Sequence, residues 1–91
     1  SKAALSTWAR SLALAVGPEG KRVNVLAPGY VDTDILAGDS KEKREQRIEE
    51  VPLKRIGTSD EMASIVSFLL SDDAAYITGA VLHANGGLYL P

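Results

Sequence analysis

Over the first sixteen residues apolar side chains return every third or fourth position: Leu5, Trp8, Ala9, Leu12 and Val16, with Thr7, Arg10 and Ser11 between them. That spacing predicts a helix from Lys2 to Val16 with one buried stripe, in which Trp8 and the leucines are most simply core. Gly17-Pro18 is expected to stop it, glycine taking the left-handed cap and proline being unable to continue the helix. Nothing before Ser1 supplies a cap, so the first turn reads as cut rather than started. Beyond the polar turn Glu19-Gly20-Lys21, Val23, Val25 and Leu26 make the run Arg22 to Ala27 mostly apolar, with apolar side chains on both faces, and it closes on Pro28-Gly29. It reads as a strand buried between helices, the habit of a parallel sheet.

The pattern weakens between Thr33 and Pro52. Asp34-Ile35-Leu36-Ala37 fits one helical turn, and Ser40 is placed to cap a second helix over Lys41 to Glu50. That second stretch mixes acids and bases as a solvated face does, which is a simpler account than a nucleic-acid patch. Thr58 and Glu61 have the spacing of a capping box. Met62, Ile65, Val66, Leu69 and Leu70 then give the clearest amphipathic stripe of the chain. Tyr76 to Gly79 forms a bridge into a second strand, Ala80 to Ala84, broken by Asn85-Gly86-Gly87. The order is α-β-α-α-β, and a strand, a helical crossover and another strand imply a right-handed parallel unit. Two strands alone cannot make a doubly covered sheet, so neighbouring strands from other sequence or other chains are expected.

Composition narrows the function classes. Ten basic and twelve acidic side chains leave a formal charge of −2 over 91 residues, which offers no footprint for nucleic acid or an anionic membrane. Apolar residues at 45% and charged ones at 24% are ordinary for a globular domain. With no cysteine there is no disulfide framework, thiol nucleophile or thiolate-held metal, and no metal site is expected. No apolar run approaches the roughly 20 residues a membrane span needs, and the opening lacks the order of a signal peptide. A cytoplasmic location is the expectation.

The strongest site signal is Ala27-Pro28-Gly29-Tyr30-Val31-Asp32-Thr33, at the carboxyl end of a predicted parallel strand, where open α/β sheets bind ligands. Pro-Gly gives a sharp exit and a close backbone approach, and Thr33 brings a hydroxyl. From spacing alone the simpler reading, a turn followed by a helix cap, is the stronger. His83, the single histidine, sits on a short apolar strand and reads as packed.

Taken together, Ser1-Lys2-Ala3-Ala4-Leu5, the run Arg22 to Gly29 with Thr33, and Tyr76-Ile77-Thr78-Gly79 leading to Asn85-Gly86-Gly87 resemble the C-terminal part of a classical short-chain dehydrogenase/reductase. The resemblance covers the whole chain with its blocks in family order. Within the family it is most similar to the 3-oxoacyl-[acyl-carrier-protein] reductases. It implies the C-terminal portion of a doubly wound, Rossmann-type parallel sheet, with residues 1–91 part of a single NAD(P)-binding domain and 33–57 a substrate lid that excludes water on closing. Ile35, Leu36 and Ile48 either line that lid or pack beneath it.

By the same resemblance Lys2 ends the Tyr-x-x-x-Lys motif. It would be catalytic, its ammonium favouring the phenolate of the tyrosine, and it would also bind the nicotinamide ribose. Pro28, Gly29, the backbone of Val31 and the hydroxyl of Thr33 would hold the nicotinamide carboxamide and fix the ring face that delivers hydride. The implied cofactor is NADP(H) ahead of NAD(H). The implied partners are an acyl thioester or another small carbonyl or alcohol substrate, an acyl carrier protein, and further copies of the chain in a homotetramer built on the first helix, the Met62 to Leu70 helix and the last strand. The family's tyrosine and the Gly-rich phosphate loop would precede Ser1, so the expectation is a piece cut through the catalytic motif, with little cofactor binding and no turnover alone. Two other readings stand beside a 3-oxoacyl reductase: an alcohol, sugar or steroid dehydrogenase of the same family, and a non-catalytic oligomerisation piece.

Overall fold

The structure is a computed structural model describing residues 2–90, with the side chains of Lys2 and Ile35 outside the description. Its elements run α1 (Lys2–Val16), β1 (Val25–Pro28), α2 (Asp34–Ala37), α3 (Lys41–Glu50), α4 (Ser59–Leu70) and β2 (Val81–Ala84). Strands β1 and β2 are hydrogen-bonded neighbours in a two-stranded sheet. Val25 N–H donates to the Ala80 carbonyl and Gly29 N–H to the Ala84 carbonyl. Donor and acceptor each advance four residues together, which is parallel register. The α/β order inferred from the sequence is therefore the order found. Among the described residues no helix is long and apolar enough to cross a membrane, and no cluster of three or more His, Asp or Glu is placed to hold a metal.

The chain divides into two compact units, residues 2–26 with Val66–Leu82, and Ala27–Ile65 with residues 83–90. In the first, α1 packs through small residues. Ala9 and Ala13, one helical turn apart, are buried, and a Cβ added to Gly79 would lie 3.6 Å from that of Ala13. Close approach on this face leaves Trp8, on the flank, 61% exposed, and Leu5 and Leu14 are exposed as well. The expectation that Trp8 belongs to the core is corrected accordingly. Gly17 also differs from expectation. It opens a single 3-10 turn, Gly17–Glu19, in which Pro18 loses nothing by lacking an N–H. The left-handed residue is Gly20, at φ 77°, whose N–H returns to the Gly17 carbonyl at 2.8 Å.

Strand β1 starts three residues later than its β-branched run suggests, because residues 22–24 are held by side chains instead of a ladder. Arg22 Nη1 and Asn24 Nδ2 both donate to the Ile77 carbonyl, at 3.2 and 3.0 Å. Asn24 Oδ1 accepts from Ala80 N–H at 3.1 Å, and Thr78 Oγ1 accepts from Val23 N–H at 3.1 Å. The 77–80 bridge is thus tied to the start of β1 by groups that hydropathy does not register.

Helix α4 begins with the capping box read from the sequence. Thr58 Oγ1 accepts from Glu61 N–H and Glu61 Oε1 accepts from Thr58 N–H, each at 3.0 Å. Of its stripe, Leu69 is buried and Met62 and Ile65 are half-buried, while Val66 and Leu70 are exposed. Among the described residues of the second unit the buried side chains are Leu36, Val51 and Ile56, one from α2 and two from the segment between α3 and α4.

Candidate functional site

The carboxyl end of β1 is built so that backbone comes close to backbone. A Cβ on Gly29 would meet Asn85 Cβ at 2.7 Å and Asn85 Cα at 2.9 Å, so only glycine fits against the end of β2. After Gly29 the chain pairs once more, as an isolated parallel bridge between Val31 and Gly57. Gly57 N–H donates to the Tyr30 carbonyl at 3.0 Å and Asp32 N–H donates to the Gly57 carbonyl at 2.8 Å. Because an extended chain alternates its polar groups, Val31's own N–H and carbonyl face the other way, away from Gly57. Ser59, the first residue of α4, donates its hydroxyl to the Asp32 carbonyl at 3.3 Å and fixes the loop from a second element.

This loop borders a cleft of about 440 Å³ lined by Pro28, Gly29, Tyr30, Val31, Thr33, Leu36, Ser59 and Met62. Four of the five residues picked from the sequence, Pro28, Gly29, Val31 and Thr33, are therefore brought together on one wall. Thr33 precedes α2 with extended backbone, and its hydroxyl makes no capping bond. The Thr33 hydroxyl is thus left out of the cap, and the Val31 N–H and carbonyl are turned from the Gly57 bridge. The fifth, Lys2, has its backbone in α1, and its side chain lies outside the described residues. Leu36 lines the cleft and is buried. Ile48 is half-buried away from the lining, and the Ile35 side chain is outside the description.

Sequence reasoning missed three lining residues. Ser59 and Met62 come from the first turn of α4, and no local pattern links them to the β1 loop. Tyr30 lay inside the motif without a role. Its phenol donates to Glu50 Oε2 at 2.7 Å, and the Arg47 guanidinium stands 5.0 Å from its ring centre. Arg47 Nε in turn donates to Asp39 Oδ2, and Arg44 pairs with Asp32 at 3.5 Å. The bond to Glu50 raises the Tyr30 phenol above its ordinary value. The Arg47 bond lowers the Asp39 carboxyl, and the Asp39 bond raises Arg47. A bidentate pair of Arg55 with Glu61, both contacts at 2.7 Å, together with the Thr58 N–H holds Glu61 down at about 2.

A second cavity of about 550 Å³ in the same unit is also bordered by Tyr30 and Met62, with His83 and Tyr89 on its wall. His83 meets the Tyr89 ring edge-on at 5.4 Å, the packed setting expected of it.

A family model described as enoyl-(acyl carrier protein) reductase matches residues 1–89. The 3-oxoacyl-[acyl-carrier-protein] reductase of Escherichia coli strain K12 is 46% identical over 90 residues, covering 99% of this chain and 37% of its own. Protein FixR of Bradyrhizobium diazoefficiens is also 46% identical over 90 residues, with 31% of its length covered. The crystal structure of a 3-oxoacyl-[acyl-carrier protein] reductase from Brucella melitensis superposes with a TM-score of 0.93 at 32% identity, over 99% of this chain and 34% of that one. The chain thus spans about a third of the length of the proteins it matches. Its sequence blocks and its parallel α/β order agree with these matches, and the chain belongs to the short-chain dehydrogenase/reductase family.

Proposed function

We propose that this chain is the nicotinamide-holding and substrate-facing portion of an NAD(P)H-dependent oxidoreductase that reduces a 3-oxoacyl thioester to the 3-hydroxyacyl thioester. The observation that carries the reading is the cleft itself. Pro28, Gly29, Val31 and Thr33 gather on one wall at the carboxyl end of a parallel strand, beside apolar side chains of Leu36 and Met62. A bound nicotinamide supplies the hydride. The work of this chain is to bind and orient: Val31 N–H and carbonyl with the Thr33 hydroxyl bracket the carboxamide, so that one ring face is presented to the substrate. Gly29 sets the close approach, and Leu36 with Met62 keeps that side of the cleft dry. Lys2 has the catalytic role of holding a neighbouring tyrosine towards phenolate and of binding the ribose. Residues 33–57 act as the lid. NADP(H) is the cofactor ahead of NAD(H), an acyl carrier protein presents the thioester, and four copies assemble in the cytoplasm.

The names of the relatives support the substrate class, and the family supports the reaction type. The test is turnover of an acetoacetyl thioester against simple alcohols and sugars by the full-length enzyme, with NADPH and NADH compared. Thioester-dependent oxidation of NADPH is expected. Preferential turnover of an alcohol or sugar would move the assignment to another branch of the family.

A further inference from the structure

Helix α3 is unusual in what holds it. Its sequence, KEKREQRIEE, has one apolar residue, Ile48, and none of its side chains is fully buried. Apolar burial, limited to the partly buried Ile48, therefore does little to fix its position. Polar contacts fix it instead, and they converge on the loop that lines the cleft. Arg44, Arg47 and Glu50, three residues apart in succession, lie on adjoining strips of one side of the helix. Arg44 reaches Asp32, Arg47 covers the Tyr30 ring, and Glu50 accepts the Tyr30 phenol. Asp39, just before the helix, also pairs with Arg47. Tyr30 and Asp32 flank Val31, and their backbone groups make the bridge to Gly57 that turns Val31's polar groups away from it.

We infer that Tyr30, Arg47 and Glu50 are positioning residues, a latch through which the seating of α3 sets the geometry of the Val31–Thr33 wall of the cleft. The inference rests on the nicotinamide-holding role proposed for that wall. The Tyr30–Glu50 and Arg44–Asp32 contacts are solvent-exposed, while Arg47–Asp39 is part-buried, and an exposed ion pair or cation–ring contact shifts an equilibrium by only about two- to fivefold. Such a latch is easily opened, which suits an element that must admit and release substrate. It also makes α3 and the wall respond together, since the phenol and the Val31 backbone belong to neighbouring residues. The raised Tyr30 phenol keeps the donor proton in place at neutral pH.

The test joins amide hydrogen exchange with steady-state kinetics for Tyr30→Phe, Arg47→Ala and Glu50→Gln. Tyr30→Phe keeps the ring beneath Arg47 and removes only the donor. Glu50→Gln keeps an acceptor oxygen and is expected to be partly rescued. Exchange of the α3 amides and of Asp32 N–H should quicken about two- to fivefold in Tyr30→Phe and Arg47→Ala, with α4 amides unchanged. In the active enzyme the KM for the nicotinamide cofactor should rise by the same factor, with kcat changed by less than about twofold. Unchanged α3 exchange, or equal acceleration in α3 and α4, overturns the latch. Faster α3 exchange with an unchanged cofactor KM overturns the positioning role. If the wild type turns over no acyl thioester, the proposed reaction fails and the exchange data still decide the latch.

Discussion

Helices α3 and α4 both open on a hydroxyl that accepts a backbone N–H, Ser40 from Lys43 and Thr58 from Glu61. From that shared start they are held by opposite means. Helix α4 turns Met62, Ile65 and Leu69 inward, and the last is 8% exposed. Helix α3 turns charges toward the cleft loop and leaves its one isoleucine half-buried. Apolar burial is non-directional and large, whereas exposed ionic contacts are directional and small. The first makes a scaffold that presents Ser59 and Met62 to the cleft, and the second an element whose seating depends on a few side chains.

The contrast breaks most visibly in the cores of the two helices. Leu69→Ala should lower the unfolding free energy by about 2–5 kcal/mol in urea denaturation, because the vacated volume cannot fully collapse. Ile48→Ala should cost less, about 1–2 kcal/mol, since that side chain is only partly buried. Comparable losses at both sites would remove the distinction. Next in size is Gly29→Ala. Its Cβ would sit 2.9 Å from the Asn85 Cα, and overpacking of this kind costs about 1–3 kcal/mol. A lower melting temperature is expected, together with a raised cofactor KM from a displaced wall. An unchanged KM would detach Gly29 from the site.

The caps sharpen the contrast, because their chemistry is alike and their readouts are not. Thr58→Ala should cost about 1 kcal/mol of global stability, whereas Ser40→Ala should chiefly quicken amide exchange within α3. The smallest effect is a pH dependence. Glu61 has a folded pKa depressed to about 2 from 4.5, chiefly by its Arg55 bond. Its stabilising contribution is complete above the unfolded value and is lost as pH falls from about 4.5 towards 2. Melting temperature should therefore fall more steeply across that window in the wild type than in Glu61→Gln, and parallel curves would count against the pairing.

The sequence was legible where structure is local and periodic. The bounds of α1, α3 and α4, the Thr58–Glu61 box and the Ser40 cap all follow from spacing and hydroxyl chemistry within four residues. The cleft wall was legible as well, since Pro28, Gly29, Val31 and Thr33 lie within six positions. What could not be read came from longer-range contacts. Arg22 and Asn24 replace the start of a strand by bonding a carbonyl more than fifty residues away. Ala9 and Ala13, not Trp8, are the buried residues of α1 in this chain, and the Gly79 turn meets Ala13. The pairing of Tyr30 with Glu50, twenty residues apart, has no periodic signature, and a stretch of mixed charge reads as a solvated face until its partners are in view.

The central claim is that the Val31–Thr33 wall holds a nicotinamide cofactor for reduction of a thioester ketone. Its most direct test is NADPH oxidation by the full-length enzyme with an acetoacetyl thioester, with Thr33→Val measured alongside the wild type. The account predicts thioester-dependent oxidation, and in Thr33→Val a cofactor KM raised about tenfold, the size of one lost hydrogen bond in a closed site. No oxidation with the thioester, or an unaltered cofactor KM in Thr33→Val, would contradict it.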